Sequence, residues 1–339
     1  MKLRNYQIEI SNKGAGILNE YGLVYLSMEV RTGKTITALT IAEKVGAKKI
    51  LFVTKKKAIR GITDDFKFFP NMEIEIINFE SVFKSEISPD LVIIDEAHSL
   101  GAYPKPSKRT KDLKVICKGK KIIFLSGTPT PESFSQIFHQ LWVSDYSPFI
   151  RYKNFYKWSY DFVEIGKKYL YNREINDYST AKIEKIEFYI KHLFISYTQS
   201  EAGFEVKLNE NILYVPMDKN TKICHDKLFS DLILIGKNGV VTADTAVKMQ
   251  SKIHQICSGT VKDDTGNVHF ISDTKARYIK SNFEGKKIAI FYKFIGEFDI
   301  LKNTFDNWTS DPVEFQTESD TTFLGQFVSS REGIRLDKA

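Results

Sequence analysis

Two short runs of residues have types and spacing suited to phosphate chemistry. The first run, 28–35, reads Met-Glu-Val-Arg-Thr-Gly-Lys-Thr and includes Lys34. The second run, 92–98, reads Val-Ile-Ile-Asp-Glu-Ala-His and places two carboxylates, Asp95 and Glu96, directly after an apolar stretch. Hydrolysis of a nucleoside triphosphate needs a grip on phosphate, a magnesium ion and a group that orients water. The two runs together could supply all three.

The first run has the residues of a phosphate-binding loop. Gly33 would let the backbone approach the phosphates, and the amides of the following helix would face negative charge. Lys34 would reach the β- and γ-phosphates of ATP, and Thr35 would bind magnesium. The general pattern has a glycine where this chain has Met28. Taken alone, the run therefore leaves a chance Gly-Lys-Thr open.

The second run supplies the missing specificity. Val92, Ile93 and Ile94 predict a buried strand, and ligands bind at the carboxyl ends of parallel strands. Asp95 would hold magnesium through water, and Glu96 would orient or deprotonate the attacking water. Two adjacent carboxylates at a buried strand end are costly without a cation. The competing interpretation is an acidic surface turn, which the first run makes the weaker one.

These side chains need a scaffold, and the first ~145 residues alternate strand and helix patterns. Such alternation predicts an α/β fold with a parallel sheet covered on both faces. The expected strands are 23–26, 49–54, 74–78, 91–95 and 121–126, and the expected helices are 35–45 and 58–69.

The remaining chain has two textures. Aromatic residues interleaved with lysines crowd the segment 144–203. They could stack nucleic-acid bases, but a helical insertion whose aromatics pack inward is the favoured interpretation. From about residue 206 a second α/β unit is predicted, with strands at 213–215, 287–292 and 323–328 and a helix at 272–283.

Composition narrows the class of protein. The 339 residues suggest roughly two domains, and 42% apolar with 27% charged residues is typical of soluble proteins. A net charge of +7 and a pI near 9.0 favour nucleic acid as a partner, or simply a lysine-rich surface. No apolar run suits a membrane span and no export signal opens the chain, so we expect no membrane partner and a cytoplasmic location.

The cysteines are Cys117, Cys224 and Cys257. An odd number without a Cys-x-x-Cys pair argues against a disulfide framework. Zinc binding through Cys224, His225, His254 and Cys257 is conceivable, but apolar residues at helical spacing in 247–257 favour an ordinary packed helix for His254 and Cys257.

At this point the chain resembles the superfamily 2 helicases and translocases, above all the compact, phage-type members of the Swi/Snf-like branch with a DEAH box. The motifs that carry the resemblance occur in the family's order: Leu3–Gln7, Glu29–Thr35, Phe52–Lys56, Ile77–Ser81, Asp95–His98, Ser126–Pro129 and Ser329–Leu336. Arg31 stands where that branch usually has glycine, and Asn5 where proline is common. The likeness is most specific over residues 1–145.

The resemblance implies roles for particular residues. ATP would bind Gln7, the adenine reader, together with Arg31, Thr32, Gly33, Lys34 and Thr35. Catalysis would use Lys34, Asp95 and Glu96, with magnesium on Thr35 and Asp95. Nucleotide state would be coupled to nucleic-acid grip through His98, Ser126, Gly127 and Thr128. The nucleic-acid path would include Lys55, Lys56, Asn78, Ser330, Arg331 and Gly333.

The implied architecture is α/β with two RecA-like lobes. The ATP-binding lobe would span 1–145, a helical, aromatic-rich insertion 146–204, and a second, apparently truncated lobe 205–339. The family continues with arginines that reach the γ-phosphate, and such a finger is worth about 10³–10⁵ in rate. We therefore expect a fragment, a protein partner that supplies the cation, or weak hydrolysis.

The predicted function is that of an ATP-dependent DNA translocase or helicase, with RNA not excluded, in the host cytoplasm if the chain is phage-encoded. One alternative is a nucleotide-gated nucleic-acid binding module with little turnover. A P-loop kinase of a small metabolite is a third class, against which the Asp95–His98 and Ser126–Pro129 motifs both speak.

Overall fold

The computed structural model describes residues 3–170, 173–203, 209–236, 239–330 and 336. The chain forms two compact units, Met1–Lys207 and Leu208–Ala339. No helix in the described part of the chain is long and apolar enough to cross a membrane.

The first unit is built from strands and helices in alternation. In chain order they are α1 (Asn5–Tyr21), β1 (Leu23–Met28), α2 (Lys34–Lys44), β2 (Lys49–Thr54), α3 (Ile59–Phe66), β3 (Glu73–Asn78), β4 (Leu91–Ile94), α4 (Lys108–Ile116), β5 (Lys121–Ser126), α5 (Ile137–Trp142), α6 (Phe155–Phe162), β6 (Gly166–Leu170), β7 (Arg173–Asp177), α7 (Ile183–Ile190) and β8 (Phe194–Tyr197). Short 3₁₀ helices lie at Lys56–Ala58, Phe79–Lys84, Ala97–Leu100, Phe134–Gln136 and Lys191–Leu193.

The main sheet of the first unit has the strand order β3-β2-β4-β5-β1-β8 within the described residues. Every pairing in it is parallel. Successive residues of β1 enter opposite cores: Leu23 and Tyr25 join one buried cluster, and Val24 and Leu26 join the other. Because both faces of the central strands are buried, their sequences are continuous apolar runs. The predicted α/β class with a parallel sheet is confirmed.

The segment 146–204 differs from the helical insertion that we expected. It contains α6 and α7, but also the antiparallel pair β6–β7 and the strand β8. β8 extends the main sheet by pairing with β1, with Ile195 opposite Leu26. The segment therefore belongs to the first unit. A four-residue strand carries too little pattern to be told from the helical surroundings by sequence alone.

The buried aromatics of this segment pack inward, as the favoured interpretation predicted. Phe155, Trp158 and Phe162 are at most 1% exposed and belong to the same core as Ile94 of β4 and Phe124 of β5. The rings of Trp158 and Phe162 stack with centroids 5.2 Å apart. Other aromatics, including Tyr160 and Phe188, remain on the surface.

The second unit contains smaller sheets. Its elements are α8 (Lys219–Asp231), β9 (Ile233–Gly236), β10 (Gly239–Thr242), α9 (Ala246–Cys257), β11 (Thr260–Lys262), β12 (Val268–Phe270), α10 (Thr274–Asn282), β13 (Ala289–Tyr292), α11 (Ile295–Thr304), β14 (Trp308–Thr309), α12 (Pro312–Thr317), β15 (Thr322–Gln326) and α13 (Phe327–Ser330). Among the described residues, β13, β15 and β14 form a three-stranded parallel sheet. The pairs β9–β10 and β11–β12 are antiparallel hairpins.

The structure confirms some of the elements predicted for the second unit and contradicts one. β13, β15 and α10 confirm the strands predicted near 287–292 and 323–328 and the helix predicted at 272–283. The strand predicted at 213–215 is wrong, because that run is irregular and Leu213 and Tyr214 are 51% and 84% exposed. Strand propensity takes effect only where a neighbouring strand offers a ladder to join.

The cysteine region follows the packed-helix interpretation. His254 and Cys257 lie on α9, whose Ile256 is fully buried. Cys117, Cys224 and Cys257 are all free thiols. Within the described residues there is no group of three or more His, Cys, Asp or Glu side chains that could hold a metal ion.

Candidate nucleotide-binding site

The predicted site residues of the first unit meet at one edge of the main sheet. Parallel strands present their carboxyl ends at the same edge, where ligands bind. Asn78 ends β3, Lys55 follows β2, Asp95 follows β4, Gly127 follows β5 and Glu29 follows β1. Segments far apart in sequence are therefore brought together by the strand order alone.

Residues 29–33, which are predicted to bind phosphate and are here called the phosphate loop, connect β1 to α2. Lys34 is the first residue of α2, and its Nζ donates hydrogen bonds to the carbonyl oxygens of Met28 at 2.9 Å and Glu29 at 3.2 Å. A Cβ placed on Gly127 would lie 3.9 Å from the same Nζ. The lysine thus lies between the loop and the carboxyl end of β5. Thr35, the next residue on the helix, is half-buried.

The environment of Lys34 shows how close it lies to the carboxylates. Burial lowers the pKa of Lys34, and the negative charges of Glu96, Asp95 and Glu29 oppose that shift. A buried ammonium keeps its proton only where nearby anions compensate for lost hydration. The first and second sequence runs therefore form a single electrostatic unit.

A hydrogen bond orients the Asp95 carboxylate, and its pKa is raised above the usual value. Thr54 Oγ1 donates a hydrogen bond of 2.8 Å to Asp95 Oδ2. Burial, assisted by the adjacent charge of Glu96, raises the pKa of Asp95 to about 6, although Thr54 and Lys34 counteract the rise. A bound cation would stabilise the ionised form of such a carboxylate.

Glu96 begins a chain of polar contacts that leads to β5. Its backbone adopts a left-handed conformation, with φ of 50°. Its Oε2 lies 3.3 Å from Nδ1 of His98, which lies 3.0 Å from Oγ of Ser126. The Ser126 hydroxyl in turn accepts a 3.2 Å hydrogen bond from the backbone N–H of Thr128. Among the residues predicted to couple nucleotide state to nucleic-acid grip, His98 thus contacts the predicted water-orienting group, and Ser126 and Thr128 are linked to it through His98.

Gln7 lies against the phosphate loop. It is 7% exposed, and its Oε1 accepts a hydrogen bond of 3.0 Å from the backbone N–H of Arg4. Its Nε2 would be only 2.4 Å from a Cβ placed on Gly33. Gly33 also has φ of 78°, a conformation that L side chains rarely adopt. The positive φ therefore favours glycine at position 33, and a Cβ there would also force the end of the Gln7 side chain to move.

We expect Gly33→Ala to weaken nucleotide binding and to destabilise the first unit by more than the ~1–2 kcal/mol of a left-handed alanine. The added methyl group must displace the Gln7 amide as well as strain the backbone. Gly46→Ala is the matched control, because Gly46 has φ of 76° and nothing within 4 Å of its Cβ position. Urea unfolding and nucleotide titration of both variants compare the effects, and equal losses would refute the steric part of this account.

The predicted nucleic-acid path lies only partly within the described residues. Thr54, directly before Lys55, pairs with Asn78 in the sheet, so Lys55 and Asn78 lie at the carboxyl ends of neighbouring strands. Lys56 is exposed at the start of a 3₁₀ helix. Ser330, at the end of α13, is 5% exposed. Arg331 and Gly333 lie outside the described residues.

Some residues at this edge were missed by sequence reasoning. Thr54 ends β2 and holds Asp95, and a hydroxyl residue closing an apolar strand was its only signal. Tyr6 and Gln199 also contact the phosphate loop. Gln199 had no local signal, since its position depends on β8 joining the sheet.

Comparisons with known proteins add likenesses at the level of solved structures. No family model matches the chain, and no curated protein matches it significantly. The chain is similar to the Sulfolobus solfataricus SWI2/SNF2 ATPase core in complex with dsDNA, with 14% identity over 96% of this chain and 78% of that one and a TM-score of 0.48. For the Sulfolobus solfataricus SWI2/SNF2 ATPase core domain, the identity is 15% over 96% of this chain and 76% of that one, and the TM-score is 0.47. For the Pyrococcus furiosus Hef helicase domain, the identity is 12% over 99% of this chain and 87% of that one, and the TM-score is 0.46. The assignment of a function to this chain rests on the geometry of its own residues.

Proposed function

We propose that the chain is a DNA-dependent ATPase of the translocase or helicase type, which binds ATP and magnesium at the carboxyl edge of the first sheet. One observation carries the proposal. The two runs meet at the carboxyl end of β5, since a Cβ on Gly127 would lie 3.9 Å from Lys34 Nζ and Ser126 is linked through His98 to Glu96, although the runs are distant in sequence and were singled out for complementary parts of one reaction. A phosphate grip and a carboxylate pair at one strand edge are the arrangement that phosphoryl transfer to water requires.

The residues present fit a magnesium ion. Magnesium in ATPases is held by one or two protein oxygens, with phosphate oxygens and waters completing its shell. The Thr35 hydroxyl and the Asp95 carboxylate would be those protein ligands. The raised pKa of Asp95 supports this choice, because a cation would offset the cost of ionising it beside Glu96. When bound, the ion would neutralise charge on the β- and γ-phosphates.

The protein groups then divide the remaining work. Lys34 would neutralise the phosphate oxygens, and the start of α2 would add its backbone amides. Glu96 would accept a hydrogen bond from the attacking water and draw its proton away. His98 and Ser126 would fix the orientation of Glu96 and transmit its state to the segment around Thr128.

DNA is the proposed polymer. The net charge of +7 favours a polyanion, and Lys55, Lys56 and Asn78 lie along the sheet edge that carries the nucleotide residues. Contacts of this kind grip the phosphate backbone and read little sequence. RNA offers the same phosphates and is the natural competitor in any test.

We expect steady-state ATP hydrolysis by this chain to require magnesium and to increase with DNA. The DNA affinity, measured as the DNA concentration that gives half-maximal stimulation, should weaken by orders of magnitude between about 50 and 200 mM salt if several phosphate contacts are made. Duplex DNA, single-stranded DNA and RNA should be compared at equal nucleotide concentration. Failure to bind ATP would overturn the proposal. ATP binding without phosphate release would instead favour the nucleotide-gated binding module.

A further inference from the structure

Arg31 holds a backbone conformation that ordinarily belongs to glycine. Its φ is 65°, at the centre of the phosphate loop. A left-handed conformation costs free energy for any residue with a Cβ, and it persists only where the surroundings over-determine it. Something outside the loop must therefore hold it.

The carbonyl groups on both sides of Arg31 are bound by distant side chains. Gln199 Nε2 donates a hydrogen bond of 2.8 Å to the carbonyl oxygen of Val30. The Tyr6 hydroxyl donates one of 3.1 Å to the carbonyl oxygen of Thr32. The peptide unit before Arg31 and the one after Thr32 are thus held by residues from opposite ends of the first unit's sequence.

A bond inside the loop works in the same direction. The carbonyl oxygen of Glu29 accepts hydrogen bonds from Thr32 Oγ1 at 2.7 Å and from Thr32 N at 3.4 Å. It also accepts from Lys34 Nζ at 3.2 Å. These hydrogen bonds close the loop on itself. The bonds to the carbonyl oxygens of Val30 and Thr32 then attach the loop to the rest of the first unit.

Gln199 is itself placed by contacts with the loop, and the nearby Tyr197 contacts both the loop and α1. Its backbone N–H donates 2.7 Å to Glu29 Oε2, and the backbone N–H of Glu29 donates 2.9 Å to the carbonyl oxygen of Tyr197. The ring of Tyr197 stacks on that of Tyr6, with centroids 4.6 Å apart and planes at 21°. We call Tyr6, Tyr197 and Gln199 the loop brace.

We propose that Gln199 is a positioning residue of the nucleotide site, which holds the Val30 carbonyl so that Arg31 keeps its left-handed conformation and the loop keeps its phosphate-binding shape. This inference rests on the proposed function, because the loop must bind nucleotide for its shape to matter. The brace does for this chain what a glycine at position 31 would do through its own conformational freedom.

The first test is Gln199→Ala. We expect nucleotide affinity and 1/KM to fall about tenfold, which corresponds to loss of roughly one well-placed hydrogen bond, while kcat changes much less because Lys34, Asp95 and Glu96 are untouched. Ser200→Ala is the matched control, since Ser200 is exposed on the same turn and contributes only backbone contacts to the described structure. Unchanged nucleotide affinity in Gln199→Ala would overturn the proposal.

The decisive test compares glycine with alanine at position 31. In the Gln199→Ala background, Arg31→Gly should bind nucleotide more tightly than Arg31→Ala, because glycine adopts a positive φ without the brace. Both double variants lose the arginine side chain, so its own contribution to nucleotide binding cancels in the comparison. Equal affinity of the two double variants would show that the backbone conformation at position 31 does not limit binding, and would refute the proposal.

An independent readout separates this inference from the proposed function. Without nucleotide, Gln199→Ala should speed hydrogen exchange of the loop amides 30–33, and Ser200→Ala should not. If the unaltered chain binds no ATP but this pattern is seen, the proposed function fails while the brace stands. If the chain binds ATP and exchange is the same in all variants, the brace is wrong.

Discussion

Replacement of Lys34 by methionine is expected to lower ATP hydrolysis by about 10²–10³-fold, the usual effect of removing one preorganised electrostatic group from a site where charge develops. Methionine keeps the length and much of the volume of the lysine stem, so the loss isolates the ammonium group. That group bonds the carbonyl oxygens of Met28 and Glu29 and offsets the charge of the nearby carboxylates. Single-turnover hydrolysis with excess enzyme would measure the chemical step directly.

The same substitution should also change the titration of Asp95. The charge of Lys34 lowers the pKa of Asp95 and opposes the larger effects of burial and Glu96. Without that charge, the pKa of Asp95 should rise further, and any residual magnesium-dependent activity should require a higher pH. Lys44→Met, an exposed position on the same helix, is the control for the substitution itself. Full activity in Lys34→Met would remove the phosphate-loop assignment.

Asp95→Asn is expected to have opposite effects on turnover and on stability. Magnesium-dependent hydrolysis should be lost, because the amide is a poor ligand for a hard cation. The free energy of unfolding should nevertheless increase at neutral and alkaline pH, since the fold no longer has to bury an ionised carboxylate. Thr54 can keep its hydrogen bond by donating to the amide oxygen, so the local geometry is retained.

The pH dependence gives the sign of the stability effect. The pKa of Asp95 is about 6 in the fold and about 3.9 in an unfolded chain. The folded state therefore binds the proton more tightly, and the fold is penalised by about 2–3 kcal/mol above pH ~6. That penalty is relieved as the pH falls from about 6 to about 4. Asp95→Asn should be more stable than the parent at pH 8 and no more stable below pH ~4.

Thermal unfolding across this range, with and without magnesium and ATP, tests the prediction. The ligands should stabilise the parent chain and have little effect on Asp95→Asn, because only binding to the native state raises stability. A variant that is less stable than the parent at pH 8 would show that Asp95 is held in its charged form by groups other than a bound cation. Sites built for function commonly carry such a cost in stability.

The sequence by itself determined the class of fold and singled out the side chains of the proposed site. Phosphate grip and water activation each require particular side chains, so Lys34, Asp95 and Glu96 could be proposed for these roles from type and spacing before any fold was known. Strands buried on both faces must be continuously apolar, so β1, β2, β4 and β5 were readable from local sequence. These features depend on interactions between residues that are near each other in the chain.

Only the tertiary structure decided which distant residues support that chemistry. β8 joins the sheet beside β1, and this pairing brings Gln199 to Val30 across 169 positions of sequence. The apolar run 213–215 has a comparable local pattern, but it forms no strand because none of the described strands pairs with it. Strand pairing and the contacts that hold the loop both involve residues far apart in the sequence. Tertiary packing brings these residues together, so no local sequence pattern predicts the contacts.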